Sequence, residues 1–395
     1  MALFDQLLQA QQRFLLQLMA KRGVVGVGLG YKDAQGEATG ELAIIAMVEQ
    51  KKPKEALTED DMVPSDLDGM KTDVLEVGQI RAQVNSGSRD SWRPTIPPGV
   101  TIGHYLVTAG TFGALVYDQA TGQPLILSNN HVLSNSNDAL INDDVLQPAA
   151  TDGGQRPADV VAKLDRYMNL LYTGDSYTGG QTLIRTPTGG GTTPTTPTTP
   201  TTPTTPTTPT TNEPDGCATL FMNLGNSVAN INKSQTRLTT TQSIAQAFDP
   251  INATTIEAQA TIPENTIDAA AARPLDNGMF TNEIRHIGII TGTSPVSIGM
   301  AVRKAGRTTD YTEGTVTVVN AVIDVGYTTA AGRKTARFTG QVMTTGMSAG
   351  GDSGSLVVDK NSQNAVGLLF AGSGTATIFT PIDLVLNALQ VRLTP

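Results

Sequence analysis

From Thr192 to Thr211 the chain repeats Thr-Thr-Pro, with proline at 194, 197, 200, 203, 206 and 209. Proline at every third position fixes φ and removes backbone donors, so this stretch can join neither a helix interior nor a central sheet ladder. It is expected to form a solvated polyproline II rod, about 60 Å long at ~3.1 Å per residue, outside any core. Whatever packs must be assembled from the sequence on either side, with the tract as a spacer or surface loop. A glycan-bearing stalk is the alternative, because Thr/Pro tracts suit O-glycosylation and sequons lie at Asn232-Lys233-Ser234 and Asn252-Ala253-Thr254.

On the N-terminal side, Leu3, Phe4, Leu7, Leu8, Phe14, Leu15, Leu18 and Met19 recur at helical spacing and predict an amphipathic helix stopped at Gly23. Strand-like runs follow at Val24 to Tyr31, Glu41 to Glu49 and Thr72 to Ile80. Gly26, Gly28 and Gly30 superficially resemble a dinucleotide fingerprint, but they follow a helix where that motif would open one. Residues 1–82 are expected to be a small α/β domain, and 83–100 (QVNSGSRDSWRPTIPPGV) has the composition of a linker.

Short apolar runs separated by turn signals then appear at Thr101 to Val107, Thr111 to Tyr117, Pro124 to Leu127 and Val160 to Leu164. Beyond the tract, Cys217 to Ile231 has helical spacing. Strands resume at Ile287 to Thr291, Ala301 to Lys304, Gly314 to Val325, Ala336 to Val342, Leu356 to Val358, Ala365 to Phe370 and Ala376 to Phe379. Ile382 to Leu393 reads as a closing helix. The expected architecture is mainly β, two barrels with a C-terminal helix, interrupted at about 173–250 by the insertion that carries the tract.

A net charge of −9 argues against binding a phosphate backbone. The single cysteine, Cys217, rules out an internal disulfide and a thiolate zinc cage, and His104, His131 and His286 are too scattered to suggest a metal site. No metal or cofactor is expected. Asp5 and repeated glutamines interrupt the N-terminal apolar pattern, and no run of about 18 apolar residues exists, so neither a secretory signal nor a membrane span is read. The default location is cytoplasmic, and the Thr/Pro tract leaves a cell-surface or extracellular one open.

Two motifs carry chemistry. Gly346-Met347-Ser348-Ala349-Gly350-Gly351-Asp352-Ser353-Gly354-Ser355-Leu356 sets a serine among glycines before an apolar strand, where small neighbours admit a substrate backbone and can leave amides pointing at one spot. Pro124 to Leu133, P-L-I-L-S-N-N-H-V-L, is an apolar strand ending in a polar turn that delivers His131, fixed yet reachable as a general base must be.

In these motifs the chain resembles the bacterial-type trypsin-like (chymotrypsin-fold) serine peptidases. L-S-N-N-H-V is similar to the region of their catalytic histidine, G-D-S-G-S to their nucleophile loop, and V-G-L-L-F-A-G-S, Val366 to Ser373, to the strand lining their cleft. The resemblance covers about Thr101 to Leu393. It implies a chymotrypsin-like double β-barrel and an endopeptidase acting on peptide or protein substrates. In that family an aspartate lies between the two motifs and orients the histidine. Asp268, in N-T-I-D-A-A-A-A, fits best by its apolar and small neighbours; Asp175, in T-G-D-S-Y, is the competitor, nearer in sequence but in a polar turn context.

Carried over residue by residue, the resemblance implies Ser353 as nucleophile, His131 as base, backbone N–H groups of Gly351 and Ser353 as the oxyanion hole, and Met347, Phe370, Ala371 and Gly372 around the substrate pocket. No fresh Ile-Val N-terminus follows a basic residue at the barrel start, so the activation salt bridge of digestive relatives cannot be assumed for Asp352. A non-catalytic scaffold or self-assembling subunit is the alternative, with residues 1–82 or the insertion making homo-oligomer contacts.

Overall fold

The computed structural model describes residues 3–34, 37–78, 80, 90–177, 179–185 and 262–394. The Thr/Pro tract, the expected helix Cys217 to Ile231, Cys217 itself, both sequons and much of the expected linker lie outside the described residues. All described strands and helices fall in one compact unit, Met1–Thr188 with Pro263–Pro395.

Strand pairing sorts the apolar runs into two large sheets. The first has nine strands among the described residues. Its central course runs Ala114–Asp118, Pro124–Ser128, Ala270–Pro274, Val160–Met168, Asp144–Leu146 and Thr101–His104, each antiparallel to the next. Large side chains from alternate positions, including Ile102, Phe112, Ile126, Val145 and Leu164, fill its interior and are fully buried. The run Ala269 to Ala272 lets its strand approach closely, and all four residues are buried.

In the second sheet six strands close on themselves. Gly332–Thr345 pairs Ala376–Pro381, which pairs Ala365–Gly372, then Leu356–Asp359, then Ala301–Gly306, then Asp310–Thr329, which returns to Gly332–Thr345. The result is an antiparallel barrel with no free edge along this circuit. Val302, Val316, Val342, Val357, Leu369 and Phe379 pack within it. The mainly β, two-sheet architecture agrees with the sequence expectation.

Residues 3–76 place one helix, Leu3–Met19, on the strands Val24–Ala34, Glu37–Val48, Asp66–Leu67 and Met70–Glu76. Leu7, Ala10 and Leu18 pack on Val27, Leu29 and Ile44. That sheet is continuous with the second barrel, because Val24–Ala34 pairs antiparallel with Asp310–Thr329. The spaced glycines allow this pairing. A Cβ at Gly26 would lie 2.8 Å from the Val322 carbonyl, and one at Gly30 would lie 2.6 Å from that of Thr317. Their role is close backbone approach.

The closing helix is shorter than its apolar pattern. It spans Ile382–Leu389 and ends where Gln390 turns left-handed at φ +57°; Val391–Arg392 then joins the first sheet against Ala114–Asp118. Its buried Ile382, Val385, Leu386 and Leu389 contribute to a core shared by both barrels, with Leu127, Ala271, Leu356 and Leu368. No helix among the described residues is long and apolar enough to cross a membrane.

Candidate active site

His131 sits in a one-turn helix, Asn130–Leu133, directly after the strand Pro124–Ser128. Antiparallel register brings Ala270 opposite Ser128, and continuing it carries Asp268 alongside the His131 turn. The imidazole Nδ1 donates to Asp268 Oδ2 at 2.6 Å, and the His131 backbone N–H reaches Oδ1 at 3.3 Å. Asn129 Nδ2 holds the Asp268 backbone carbonyl at 2.6 Å. Asp268 is 0% exposed, so its carboxylate depends on these donors in place of water. Asp175 lies elsewhere: its carboxylate pairs with Lys334 at 2.6 Å and accepts from the Tyr177 hydroxyl at 3.2 Å.

A third donor to the Asp268 carboxylate comes from the other barrel. The Tyr327 hydroxyl, on the strand Asp310–Thr329, donates to Oδ2 at 2.8 Å, and its ring meets the His131 ring edge-on at 5.8 Å. Burial first, and then the Asp268 charge, push this phenol well above the ordinary tyrosine range.

Ser353 lies on the loop before the strand Leu356–Asp359, at the seam of the barrels. Its carbonyl accepts from Thr111 N–H at 2.8 Å, while Gly354 N–H donates to Leu369 O at 2.8 Å. Gly354 abuts the end of the His131 strand. A Cβ there would overlap Ser128 Oγ and the Thr111 carbonyl, and the backbone is already at φ +93°. Gly354→Ala should therefore cost about 3 kcal/mol or more in unfolding free energy, measured by denaturant titration.

The Ser353 hydroxyl is fully buried and donates to the Phe370 carbonyl at 3.3 Å. His131 Nε2 is buried and has no hydrogen-bond partner among the described residues. The structure thus joins His131 to Asp268 directly, and brings Ser353 to the same seam without a bond to the imidazole.

The loop is tied from behind. Thr308 Oγ1 donates to Gly350 O at 2.5 Å, and the Asp352 carbonyl accepts from Ser355 N–H at 3.0 Å and Ser355 Oγ at 2.6 Å. In a trans peptide the following N–H points opposite its carbonyl, so these bonds turn the Gly351 and Ser353 amides the other way. Asp352 is 0% exposed and accepts from Thr308 N–H at 2.7 Å, Thr309 N–H at 3.1 Å, Thr309 Oγ1 at 2.6 Å and Ala349 N–H at 3.0 Å. Its counter-charge is Lys304, equally buried, with Nζ 3.1 Å from Oδ2. Burial pulls the Lys304 ammonium below the ordinary lysine value, and the Asp352 charge opposes that pull.

A cleft of about 770 Å³ opens beside His131, walled by Leu106 to Ala109 and by the hairpin Gly326 to Thr335. None of the four expected pocket residues lines it. Met347 is turned into the second barrel's core with Val302 and Phe379, while Phe370 and Ala371 are buried in another cluster beside Val77 and Ile80 from the N-terminal segment. Gly372, also buried, ends that strand. Among the described residues no group of three or more His, Cys, Asp or Glu side chains gathers as a metal site would.

Sequence reading missed Tyr327, Lys304, Thr111 and Asn129. Lys304 left a signal, a lysine on an apolar strand in a chain whose Asp352 lacked a cation. Tyr327 left none, because only barrel closure carries it to Asp268.

No protein-family model and no curated protein matches the chain. Among solved structures it is similar to the Nocardiopsis protease NAPase, with 15% identity over 76% of this chain and 100% of that one, at a TM-score of 0.38. Thermobifida fusca protease A matches at 14% identity, 76% and 98% coverage and a TM-score of 0.37. A glutamic acid-specific serine protease matches at 17%, with 75% and 99% coverage and a TM-score of 0.37. At these identities and TM-scores they are loose likenesses to proteases.

Proposed function

We propose that the protein is a serine endopeptidase that cleaves peptide bonds through an acyl-enzyme. The observation that carries this reading is the buried Asp268–His131 pair at 2.6 Å, with the imidazole's far nitrogen left without a hydrogen-bond partner among the described residues. Asp268 orients the ring and stabilises the imidazolium. The Ser353 hydroxyl turns from the Phe370 carbonyl to His131 Nε2, gives up its proton there and attacks the substrate carbonyl. Gly351 and Ser353 amides receive the oxyanion, and His131 then returns the proton to the leaving amine.

A fluorophosphonate probe tests this. Labelling should fall on Ser353, drop about 10³–10⁴-fold in Asp268→Asn, and keep its rate in Asp175→Asn. Folded protein that takes no label, or an Asp268→Asn variant that labels as fast as the parent, overturns the reading. A non-catalytic scaffold is the second reading, favoured by the complete burial of Ser353 and its bond to Phe370. The absence of labelling would support it.

A further inference from the structure

Asp268 and His131 belong to the first barrel, and Ser353 to the second. Relative motion of the barrels would separate the base from the nucleophile. Tyr327 spans that division, since it stands on a second-barrel strand yet bonds the first barrel's carboxylate. We propose that Tyr327 is a positioning residue, its hydroxyl clamping Asp268 Oδ2 so that the carboxylate and imidazole stay registered to the barrel carrying Ser353. The catalytic part of this inference rests on the peptidase reading; the clamp itself does not.

Three features make the hydroxyl suited to the role. It shares Oδ2 with His131 Nδ1, at 2.8 and 2.6 Å, so it acts on the same oxygen that orients the ring. Its buried ring packs against Tyr172 at 6.0 Å, Phe338 at 6.2 Å and His131 at 5.8 Å, which leaves little freedom to swing away. Its high affinity for its proton keeps it a donor throughout the neutral range. The hairpin that follows is moored to the first barrel as well, where Ala330 N–H donates to Asp138 Oδ2 at 2.9 Å.

The test is Tyr327→Phe in the full chain, which keeps the ring and deletes the donor, with Tyr172→Phe as control. The Tyr172 hydroxyl bonds the Ser136 carbonyl at 3.0 Å, and Tyr172 packs on Tyr327 with no bond to Asp268. Two readouts are taken: the proton resonance of His131 Nδ1–H, and kcat and KM on a peptide substrate. Tyr327→Phe should move the resonance downfield, because Oδ2 with one donor fewer accepts more strongly, and lower kcat about 10–100-fold with KM within about two-fold. Tyr172→Phe should change neither. An unmoved resonance in Tyr327→Phe, a loss confined to KM, or an equal change in Tyr172→Phe overturns the proposal. If the parent protein neither hydrolyses peptide nor takes the probe, the peptidase reading fails and the resonance alone decides the clamp, a shift supporting it and no shift refuting it.

Discussion

Ser353→Ala is expected to abolish probe labelling and to lower kcat by about 10⁶-fold, while the unfolding midpoint stays close to that of the parent. The reason for the split is local. Ser353 contributes to the fold through its backbone, whose carbonyl is held by Thr111 N–H, whereas its hydroxyl makes one long bond to Phe370 at 3.3 Å. Losing that bond costs about 1 kcal/mol or less. His131→Ala should be comparably severe, and the double variant should be no worse than either single one, because base and nucleophile act as a unit. Losses that add would show that the two residues do not share one step, and unaltered hydrolysis in Ser353→Ala would remove the nucleophile assignment.

The second large effect is expected at Lys304, which is fully buried. Lys304→Met leaves a fully buried Asp352 carboxylate without its cation, a change that typically costs about 3–5 kcal/mol. The four other donors to Asp352 come from Thr308, Thr309 and Ala349, and they partly shield the charge. Because Asp352 lies between the two amides assigned to the oxyanion, folded Lys304→Met should also label more slowly, by about 10²–10³-fold if one donor is misplaced. Pairing it with Asp352→Asn should restore much of the stability, since the orphaned charge is then gone. Denaturant titration and probe kinetics on the single and double variants read both effects. A Lys304→Met protein as stable as the parent would show that the pair does not hold the loop. The cation facing Asp352 is thus an internal lysine, Lys304.

Much of the fold was legible because each strand's evidence is local. Apolar runs bounded by turn signals at Thr101, Pro124, Val160, Ala301 and Leu356 all begin strands. The long strand Asp310–Thr329 was harder to read. Its alternation is broken by register shifts between Val316 and Ile323, and one strand serves Ala301–Gly306, Val24–Ala34 and Gly332–Thr345 in turn. The C-terminal helix was read four residues too far, since nothing local in an apolar run marks the left-handed Gln390 or the strand that follows it. The pocket expectation illustrates a different limit. Counting back from Ser353 locates Met347 along the chain, but side-chain direction follows from the turn geometry, and here it points into the barrel core.

The sequence alone determined which residue types stand on which kinds of local element: a serine on a glycine-flanked loop, a histidine after a buried strand, an aspartate before a run of alanines, and a proline tract that no core can absorb. These are properties of neighbours within a few positions, and propensity and periodicity report them directly. Tertiary structure decided which distant groups meet. Strand register set Asp268, and not Asp175, beside His131, barrel closure brought Tyr327 to that carboxylate, and the buried pairing of Lys304 with Asp352 came from a strand and a loop that meet only in the folded barrel. Contacts between residues far apart in the chain depend on how sheets twist and close, a cooperative outcome that no short window of sequence contains.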